Sequence, residues 1–245
     1  MKAMSNSVLS FINARKNPVS YTEKRIKDIL HYVIYCYQLQ LSDKVKYSKS
    51  ANTKQKFEDY LKTKFVDDYL RANKDYFQKN GSGIKTISFN KEVVEIYTDA
   101  AKIEQEDKID ISVKELGLQK AWSKDNTSEI YFAIECKRVK VLSDAGNYVS
   151  DIKKFAERRH LSYRLPFEGM IAFVENENLS HSQLSVEITK KLKATSSIIT
   201  KQYLTPKIFF EGFNGTYASS HHKKSDNTIF YVYHLIFDYS KNISP

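Results

Sequence analysis

Apolar residues that recur every three or four positions predict two helices in the first third of the chain. Ile26 and Ile29 begin the stripe of a helix predicted over residues 20 to 43. Ser20 and Glu23 have the spacing of a capping box, in which a hydroxyl and a carboxylate satisfy free backbone N–H groups at a helix start. A second helix is predicted over residues 52 to 71, with the stripe Phe57, Leu61, Phe65 and Tyr69.

Beyond residue 80 the period changes to the alternation that is typical of strands. The run 130–137 is apolar with charge only at its end, as in the central strand of a sheet. Helical spacing returns over residues 148–161 and 180–194, and Ser180 with Gln183 matches the Gln variant of a capping box. The other predicted strands cover residues 84–89, 93–97, 109–113 and 169–174, with further strands between 198 and 239.

From residue 52 onward the predicted order is helix, three strands, helix, strand, helix and terminal strands. Strands that alternate with helices predict an α/β fold, here a central mixed β-sheet flanked by helices. The first three strands look like an antiparallel meander, so the sheet is not expected to be wholly parallel. We expect residues 1–48 to form an N-terminal helical extension and residues 49–245 to form one compact domain with C-terminal strands.

Composition indicates which class of partner and which cellular compartment to expect. Apolar residues make up 41% of the 245 residues and aromatic residues 13%, which excludes a disordered tail protein. The 39 Lys and Arg outnumber the 29 Asp and Glu, and the net charge of +10 favours a polyanionic partner such as nucleic acid. Cys36 and Cys136 are too few for a disulfide framework, and no run of apolar residues is long enough to span a membrane. We therefore expect a cytoplasmic protein with no membrane partner.

Three charged residues lie in two neighbouring predicted strands. Asp110 lies in one strand, and Glu135 and Lys137 end the next. Because strand side chains alternate, Glu135 and Lys137 project from the same face while Cys136 points to the other. Two close carboxylates repel each other unless a cation compensates them, and Mg²⁺ is held by one or two carboxylates together with water and substrate phosphate. The pattern is suited to phosphodiester hydrolysis, in which Lys137 positions the water or neutralises developing charge.

Two plainer interpretations compete with this one. A charge pair that ends a buried strand is by default a structural salt bridge or a solvated rim. E-x-K is also a weak motif in a lysine-rich chain, and residues 106–108 match it in what we expect to be a solvated turn. The surrounding sequence favours Glu135 and Lys137 as the functional E-x-K motif, because they end an apolar strand and Asp110 lies in the preceding strand. Cys136 between them is interpreted as a small apolar filler.

The order helix, strand, Asp strand, E-x-K strand, helix, strand resembles the αβββαβ core of the PD-(D/E)xK, or restriction-endonuclease-like, nuclease superfamily. Residues 108–113 stand where the Asp motif of the family lies, and residues 134–137 stand where its E-x-K motif lies. The resemblance covers residues 52 to 175. It departs from the family pattern at Ile109, which replaces the proline that often precedes the Asp.

The resemblance implies a metal-dependent endonuclease that cuts DNA, in a bacterial or phage-related setting such as anti-phage defence or restriction. It implies Asp110 and Glu135 as ligands of Mg²⁺, for which Mn²⁺ substitutes, and Lys137 as the residue that orients or activates the attacking water. Many members add an acidic metal ligand from the helix before the sheet. Glu58 matches that position, and the alternative is an ordinary surface glutamate.

Positive charge on the helix after the E-x-K strand is expected to neutralise DNA phosphates. Such contacts supply affinity that depends on salt and very little on sequence. A second polar group lies in residues 217–224, and for both groups the alternative is a solvated surface. The predicted DNA contacts are Lys153, Lys154, Arg158, His221 and Lys223.

Two aromatic side chains outside these motifs also carry expectations. His234 lies inside a predicted strand and is expected to be a core histidine with satisfied hydrogen bonds. Trp122 falls in the polar stretch between the Asp strand and the E-x-K strand. For Trp122 a hairpin contact and a base-stacking role both stay open.

Two other functions compete with that of a self-sufficient nuclease. One is a catalytically weak nucleic-acid-binding module, against which the intact Asp110, Glu135 and Lys137 argue. The other is a nuclease subunit that needs a partner protein, for which the apolar helix over residues 20–43 would supply an interface. Homo-oligomerisation is a further arrangement that the sequence leaves open. No separate recognition domain is evident, so site-specific cutting by this chain alone is not expected.

Overall fold

The structure is a computed structural model that describes residues 18–50, 56–98, 103–123, 130–160 and 164–244. These residues form an α/β fold in which helices flank a mixed β-sheet, as predicted. The helices are α1 (Pro18–Ser42), α2 (Phe57–Lys64), α3 (Tyr76–Lys79), α4 (Leu116–Trp122), α5 (Ala145–Glu157) and α6 (His181–Ala194). The strands are β1 (Tyr47–Ser48), β2 (Ile87–Thr98), β3 (Glu104–Glu115), β4 (Tyr131–Val139), β5 (Arg159–His160), β6 (Arg164–Val174), β7 (Thr200–Pro206), β8 (Thr216–His222), β9 (Ile229–Asp238) and β10 (Ile243–Ser244).

Eight of the strands form one sheet in the order β5-β2-β3-β4-β6-β9-β8-β7. The strands β2, β3 and β4 are successive antiparallel neighbours, which confirms the predicted meander. Strand β6 lies parallel to both of its neighbours, β4 and β9, and β8 and β7 complete the sheet as antiparallel strands. Strand β4 therefore lies in the interior of the sheet, in agreement with its apolar sequence. The short strands β1 and β10 pair in parallel outside this sheet and were not predicted.

The central strands bury both of their faces. On β6, Ile171 and Phe173 join the core that α1 and α2 cover, whereas Met170 and Ala172 join the core that α5 and α6 cover. All four side chains are fully buried. Because side chains alternate along a strand, a near-continuous apolar run is what a sheet covered on both faces requires. The sheet is thus the middle of three layers.

Helix α1 packs as part of the domain and not as an appended extension. Ile26 and Ile29 of its apolar stripe are fully buried in the same core as the central strands. The Tyr37 hydroxyl donates a hydrogen bond to the carbonyl of Asp238 at the end of β9 (2.9 Å). The stripe that was expected to offer a partner interface is therefore covered by this chain itself, while residues 1–17 lie outside the described residues. Neither α1 nor any other described helix is long and apolar enough to cross a membrane.

Two predicted boundaries shift because local geometry departs from the regular period. The strands predicted over residues 84–89 and 93–97 form the single strand β2. Glu92 between them takes a left-handed conformation (φ 50°) without ending the strand. The helix predicted over residues 52–71 is described from residue 56 onward and ends in a π-helical turn over Phe65–Leu70.

The two predicted capping boxes have opposite outcomes. Helix α1 already includes Pro18, so Ser20 and Glu23 lie inside the helix and the predicted cap is wrong. At α6 the prediction is confirmed, because Ser180 Oγ accepts from the Gln183 backbone N–H (3.2 Å) and Gln183 Oε1 accepts from the Ser180 backbone N–H (2.9 Å).

Helix α3, helix α4 and strand β5 are further short elements that were not predicted. Helix α4 occupies the stretch that ends at Trp122, whose indole Nε1 donates to Thr22 Oγ1 of α1. Trp122 therefore connects α4 to α1, a contact that the sequence did not predict. Strand β5 begins at Arg159, so the helix predicted over residues 148–161 ends earlier, at Glu157.

A chain of hydrogen bonds crosses the core beneath α5. The His234 ring bonds to the Tyr148 hydroxyl through Nδ1 (2.9 Å) and to Ser219 Oγ through Nε2 (2.8 Å). Ser219 Oγ also bonds to His221 Nε2 (2.8 Å), and His221 Nδ1 bonds to Thr200 Oγ1 (3.0 Å). A neutral imidazole has one donor and one acceptor, so every bond is satisfied when all run in one direction and both rings are neutral. His234 is the core histidine that the sequence predicts.

Both rings are held neutral by their surroundings. Burial lowers the pKa of His221 from 6.5 to about 4. Burial, with a smaller contribution from the charge of His221, lowers the pKa of His234 to about 3. Between these values and pH 6.5 the unfolded chain binds protons that the folded chain does not bind. The folded state therefore loses stability as the pH falls below 6.5.

We expect acidification from pH 7 to pH 5 to lower the free energy of unfolding by about 2 kcal/mol for each buried histidine, at about 1.4 kcal/mol per pH unit below 6.5. Urea unfolding at both pH values measures this loss. His221→Asn should remove about half of the pH dependence, whereas His222→Asn, which changes a partly exposed neighbour, should retain it. An equal pH dependence in the two variants would contradict the assignment.

Candidate active site

One face of α2 carries both a carboxylate and an ammonium toward the sheet. Glu58 and Lys62 are four residues apart, so they lie on the same side of the helix. Glu58 Oε2 accepts a hydrogen bond from the backbone N–H of Arg138 on β4 (2.8 Å). The Lys62 ammonium donates to Asp110 Oδ1 on β3 (2.7 Å) and to Asp59 Oδ1 (3.0 Å). Helix α2 is therefore attached to both strands that hold the predicted motif.

Asp110 is fixed by a contact to each of its oxygens. Oδ1 accepts from Lys62, and Oδ2 accepts from the backbone N–H of Cys136 (2.8 Å). Because Cys136 follows Glu135, the Asp110 carboxylate reaches from β3 across to the E-x-K segment of β4. The Cys136 thiol itself is fully buried, and burial raises its pKa, so it is the unreactive filler that the sequence predicts.

Lys137 is held between carboxylates from two different helices. Its ammonium lies 3.0 Å from Asp151 Oδ2 on α5 and 3.6 Å from Glu58 Oε1 on α2. Burial alone would disfavour the ammonium, but the charges of Asp151 and Glu58 outweigh that effect and raise the pKa of Lys137. With 23% of its side chain exposed, Lys137 stays accessible from solvent while its position is fixed.

Glu135 shares the face of β4 that carries Lys137. The two residues are two positions apart on a regular strand and both are partly exposed. The register places Glu135 beside Met170 of β6 and Lys137 beside Ala172. Of the predicted site residues, the structure brings Asp110, Glu58 and Lys137 into one cluster, with Glu135 next to the backbone amide that binds Asp110.

Two members of the cluster, Lys62 and Asp151, are absent from the predicted site. Lys62 lies next to Leu61, a residue of the apolar stripe of α2, and only 2% of the Lys62 side chain is exposed. Asp151 lies one turn after Tyr148 on the buried face of α5, and its side chain is 3% exposed. The signal in the sequence that could have identified them is a charged residue at or beside the apolar face of an amphipathic helix, because such a charge needs a partner in the interior.

Asp151 is the common partner of two lysines. Its Oδ2 faces Lys137 and its Oδ1 lies 2.8 Å from the ammonium of Lys154, one turn later on α5. Lys154 has 44% of its side chain exposed, whereas Asp151 is almost enclosed. The buried carboxylate thus directs one lysine toward the cluster and holds the other at the surface.

The chemistry of the donor set suits a hard divalent cation. Asp110 and Glu58 each have one oxygen bound to a backbone N–H and the other facing a lysine ammonium. Within the described ranges, no three His, Cys, Asp or Glu side chains are already grouped closely enough to hold a metal ion. Mg²⁺ typically uses only one or two carboxylates and keeps several waters, so the two carboxylates of Asp110 and Glu58 are as many as it needs from the protein.

The predicted DNA contacts on α5 differ in their availability. Lys153 has 43% of its side chain exposed and lies 3.8 Å from Glu157, and Lys154 is similarly exposed. Arg158 is only 16% exposed, because its guanidinium pairs with Asp107 and lies over the Tyr97 ring. The helix face therefore offers the two lysines and holds Arg158 in a structural contact.

The predicted contacts near residues 221–223 are turned inward. His221 is fully buried, so a DNA backbone outside the fold cannot reach its ring. The Lys223 ammonium donates to the Phe155 carbonyl at the end of α5 (2.6 Å) and is only 13% exposed. The expectation that these two side chains bind DNA is corrected on this ground.

Comparison with known proteins identifies no relative of this chain. No protein-family model, curated protein or solved structure matches the chain. The function is therefore inferred from the geometry of the cluster and from the resemblance of the motif order.

Removal of the Asp151 charge tests how Lys137 is held. Loss of one partner of a buried ion pair costs about 3–5 kcal/mol, but Lys137 would keep Glu58, so we expect Asp151→Asn to lower the free energy of unfolding by about 2 kcal/mol. Lys154→Met removes an exposed partner and should cost less than about 1 kcal/mol. Urea unfolding of both variants measures the difference, and equal losses would place Asp151 among ordinary surface ion pairs.

Proposed function

We propose that this protein is a metal-dependent nuclease of the PD-(D/E)xK type that hydrolyses phosphodiester bonds in DNA. The observation that carries the proposal is the cluster of Asp110, Glu58 and Lys137, which meet from β3, α2 and β4. Helix α2, the antiparallel strands β2, β3 and β4, helix α5 and the parallel strand β6 also follow one another in the order of the superfamily core. A role in anti-phage defence or restriction rests on the resemblance alone.

Asp110, Glu135 and Glu58 would hold Mg²⁺, with Mn²⁺ as a substitute. A bound divalent cation would polarise a phosphoryl oxygen and lower the pKa of a water molecule. The backbone N–H groups of Cys136 and Arg138 fix one oxygen of Asp110 and one of Glu58, which limits how far either carboxylate can turn. Such preorganisation lowers the cost of assembling charged ligands around a cation.

Lys137 supplies positive charge beside the reacting phosphate in this proposal. Its ammonium would donate hydrogen bonds to the attacking water or to a phosphate oxygen as negative charge develops there. Asp151 and Glu58 hold the ammonium in place, so little reorganisation is needed when substrate binds. Lys137 is the catalytic residue of the proposal, and Asp151 is a positioning residue.

The surface supports a polyanionic substrate. The net charge is +10, and Lys153 and Lys154 extend this charge along α5 beside the cluster. Contacts from these lysines to phosphates would be independent of base sequence. This arrangement suits cleavage with low sequence selectivity.

A nucleic-acid-binding module without catalysis is the second candidate. Lys62 and Lys137 already face the oxygens of Asp110 and Glu58, so the cluster is neutralised by its own side chains. A nuclease subunit that becomes active only with a partner agrees with the same observation. Cleavage by the purified chain separates the first proposal from both alternatives.

We expect the purified chain to cut plasmid, linear duplex or single-stranded DNA with Mg²⁺ or Mn²⁺ and to be inactive in EDTA. Asp110→Asn should abolish cleavage, because it removes the negative charge of a proposed metal ligand. Lys137→Ala should lower the single-turnover rate by a factor on the order of 100, because it removes the positive charge beside the reacting phosphate. Lys137→Arg should stay impaired, since a guanidinium is larger and has a different geometry.

The control is Glu106→Gln, which alters the second E-x-K match at an exposed position of β3. It should cut at the wild-type rate, and all variants should have circular dichroism spectra like that of the wild type. Wild-type cleavage by Asp110→Asn, or rescue of activity by Lys137→Arg, would contradict the assigned roles.

DNA binding without metal should weaken as salt rises, because Lys and Arg contacts release counterions from phosphates. Lys153→Ala combined with Lys154→Ala should reduce the slope of log affinity against log salt by about one to two. The matched control, Lys190→Ala with Lys193→Ala, removes two exposed lysines of α6 and should leave the slope unchanged. Equal slopes for the two double variants would exclude the α5 lysines from the interface.

A further inference from the structure

Lys62 is a buried ammonium in the middle of the carboxylate cluster. Only 2% of its side chain is exposed. Its ammonium lies 2.7 Å from Asp110, 3.0 Å from Asp59 and 3.6 Å from Glu92. With three carboxylates within 3.6 Å, the Lys62 ammonium is a fixed positive charge beside Asp110, the carboxylate at the centre of the proposed metal site.

The three carboxylates around Lys62 differ in exposure. The side chain of Asp110 is 16% exposed, whereas those of Asp59 and Glu92 are 33% and 46% exposed. Asp110 is the inner partner, and the other two lie toward solvent. An ammonium that left Asp110 would still have two carboxylates within the reach of its flexible stem.

The backbone beside this cluster is irregular at Glu92. The register of β2 and β3 pairs Lys91 with Ile111 and Val93 with Ile109. Glu92 lies between these pairs, with its backbone in the left-handed region (φ 50°), which non-glycine residues seldom adopt. This conformation accompanies the approach of the Glu92 carboxylate to Lys62. Strained backbone of this kind often occurs at functional sites.

We propose that Lys62 is a resident counter-cation that a divalent metal must displace from Asp110. The ammonium already occupies Oδ1 and the Cys136 amide donates to Oδ2, so a metal ion bound to Asp110 would lie close to the ammonium and be repelled by its positive charge. Displacement would move the ammonium toward Asp59 and Glu92, so charge stays compensated in both states. Lys62 thereby sets the metal affinity of the site and keeps the metal-free cluster folded. This inference rests on the proposed function, since it concerns the same carboxylates.

Binding of Mn²⁺ in the absence of DNA tests the displacement directly. Lys62→Met removes the competing charge with a side chain of similar length, and calorimetric titration with MnCl₂ should give an affinity at least tenfold higher than that of the wild type. The melting temperature of Lys62→Met should be lower than that of the wild type in EDTA, since Asp110 loses its partner. Mn²⁺ should raise it by more than it raises the wild-type value.

Two control variants separate competition from general electrostatics. Lys154→Met removes one exposed positive charge near the cluster and should change Mn²⁺ affinity by less than threefold. Lys62→Arg keeps the positive charge and should bind Mn²⁺ no more tightly than the wild type. Tighter binding by Lys62→Arg, or an equal gain in Lys154→Met, would overturn the proposal.

The remaining outcomes distinguish this inference from the proposed function. If the wild type and Lys62→Met bind Mn²⁺ equally, the displacement is refuted and the metal-dependent nuclease stands. If neither binds Mn²⁺, both proposals fail. If Lys62→Met is unfolded in EDTA, recovery of its cooperative melting transition with Mn²⁺ supports displacement. Failure to recover at millimolar Mn²⁺ would make Lys62 a purely structural residue.

Discussion

Neutralisation of the carboxylates between α2 and the sheet is the interaction on which the arrangement of the site depends. Glu58 and Asp110 each divide their two oxygens between a backbone N–H of β4 and a lysine ammonium. Both partners contribute, because a carboxylate that is partly withdrawn from water loses free energy of hydration unless its charge and its hydrogen-bonding capacity are compensated. Lys137 extends this network to Asp151 on α5. One lysine therefore joins a helix that packs on one face of the sheet with a helix that packs on the other.

The layered fold was predictable because its signals are local and periodic. Alternation along β2 and β3 and the continuous apolar run of β4 identify strands, and 3.6-residue spacing identifies α1, α5 and α6. These patterns do not show which surface the buried face of a helix packs against. The stripe of α1 indicates that one face is buried, but only the tertiary structure places it against the chain's own sheet. Strands as short as β1 and β10 have no period to detect, and the φ of Glu92 leaves no trace in composition.

The candidate site was predictable where strand geometry alone brings residues together. Asp110 lies opposite the E-x-K segment because β3 and β4 are antiparallel neighbours, and a two-residue spacing puts Glu135 and Lys137 on one face. Lys62 and Asp151 depend on how two helices dock, which the sequence does not specify. His221 shows the converse, since an apparently polar stretch of chain proved to be a core strand in which the histidine ring is satisfied by Ser219 and Thr200.

The protein buries polar groups in two ways, and the difference bears on which region can bind a ligand. The hydrogen-bond network that links Tyr148, through the two histidines and Ser219, to Thr200 is neutral and closed. Each of its three inner members already has both a donor and an acceptor. The carboxylate cluster is charged, and its compensation comes partly from lysines on long, flexible stems. A backbone amide cannot leave its carboxylate without unfolding a strand, whereas an ammonium can move while the sheet stays intact. The cluster therefore combines a fixed half, made of the β4 amides, with an exchangeable half, made of lysines, and only the exchangeable half could give way to an incoming cation.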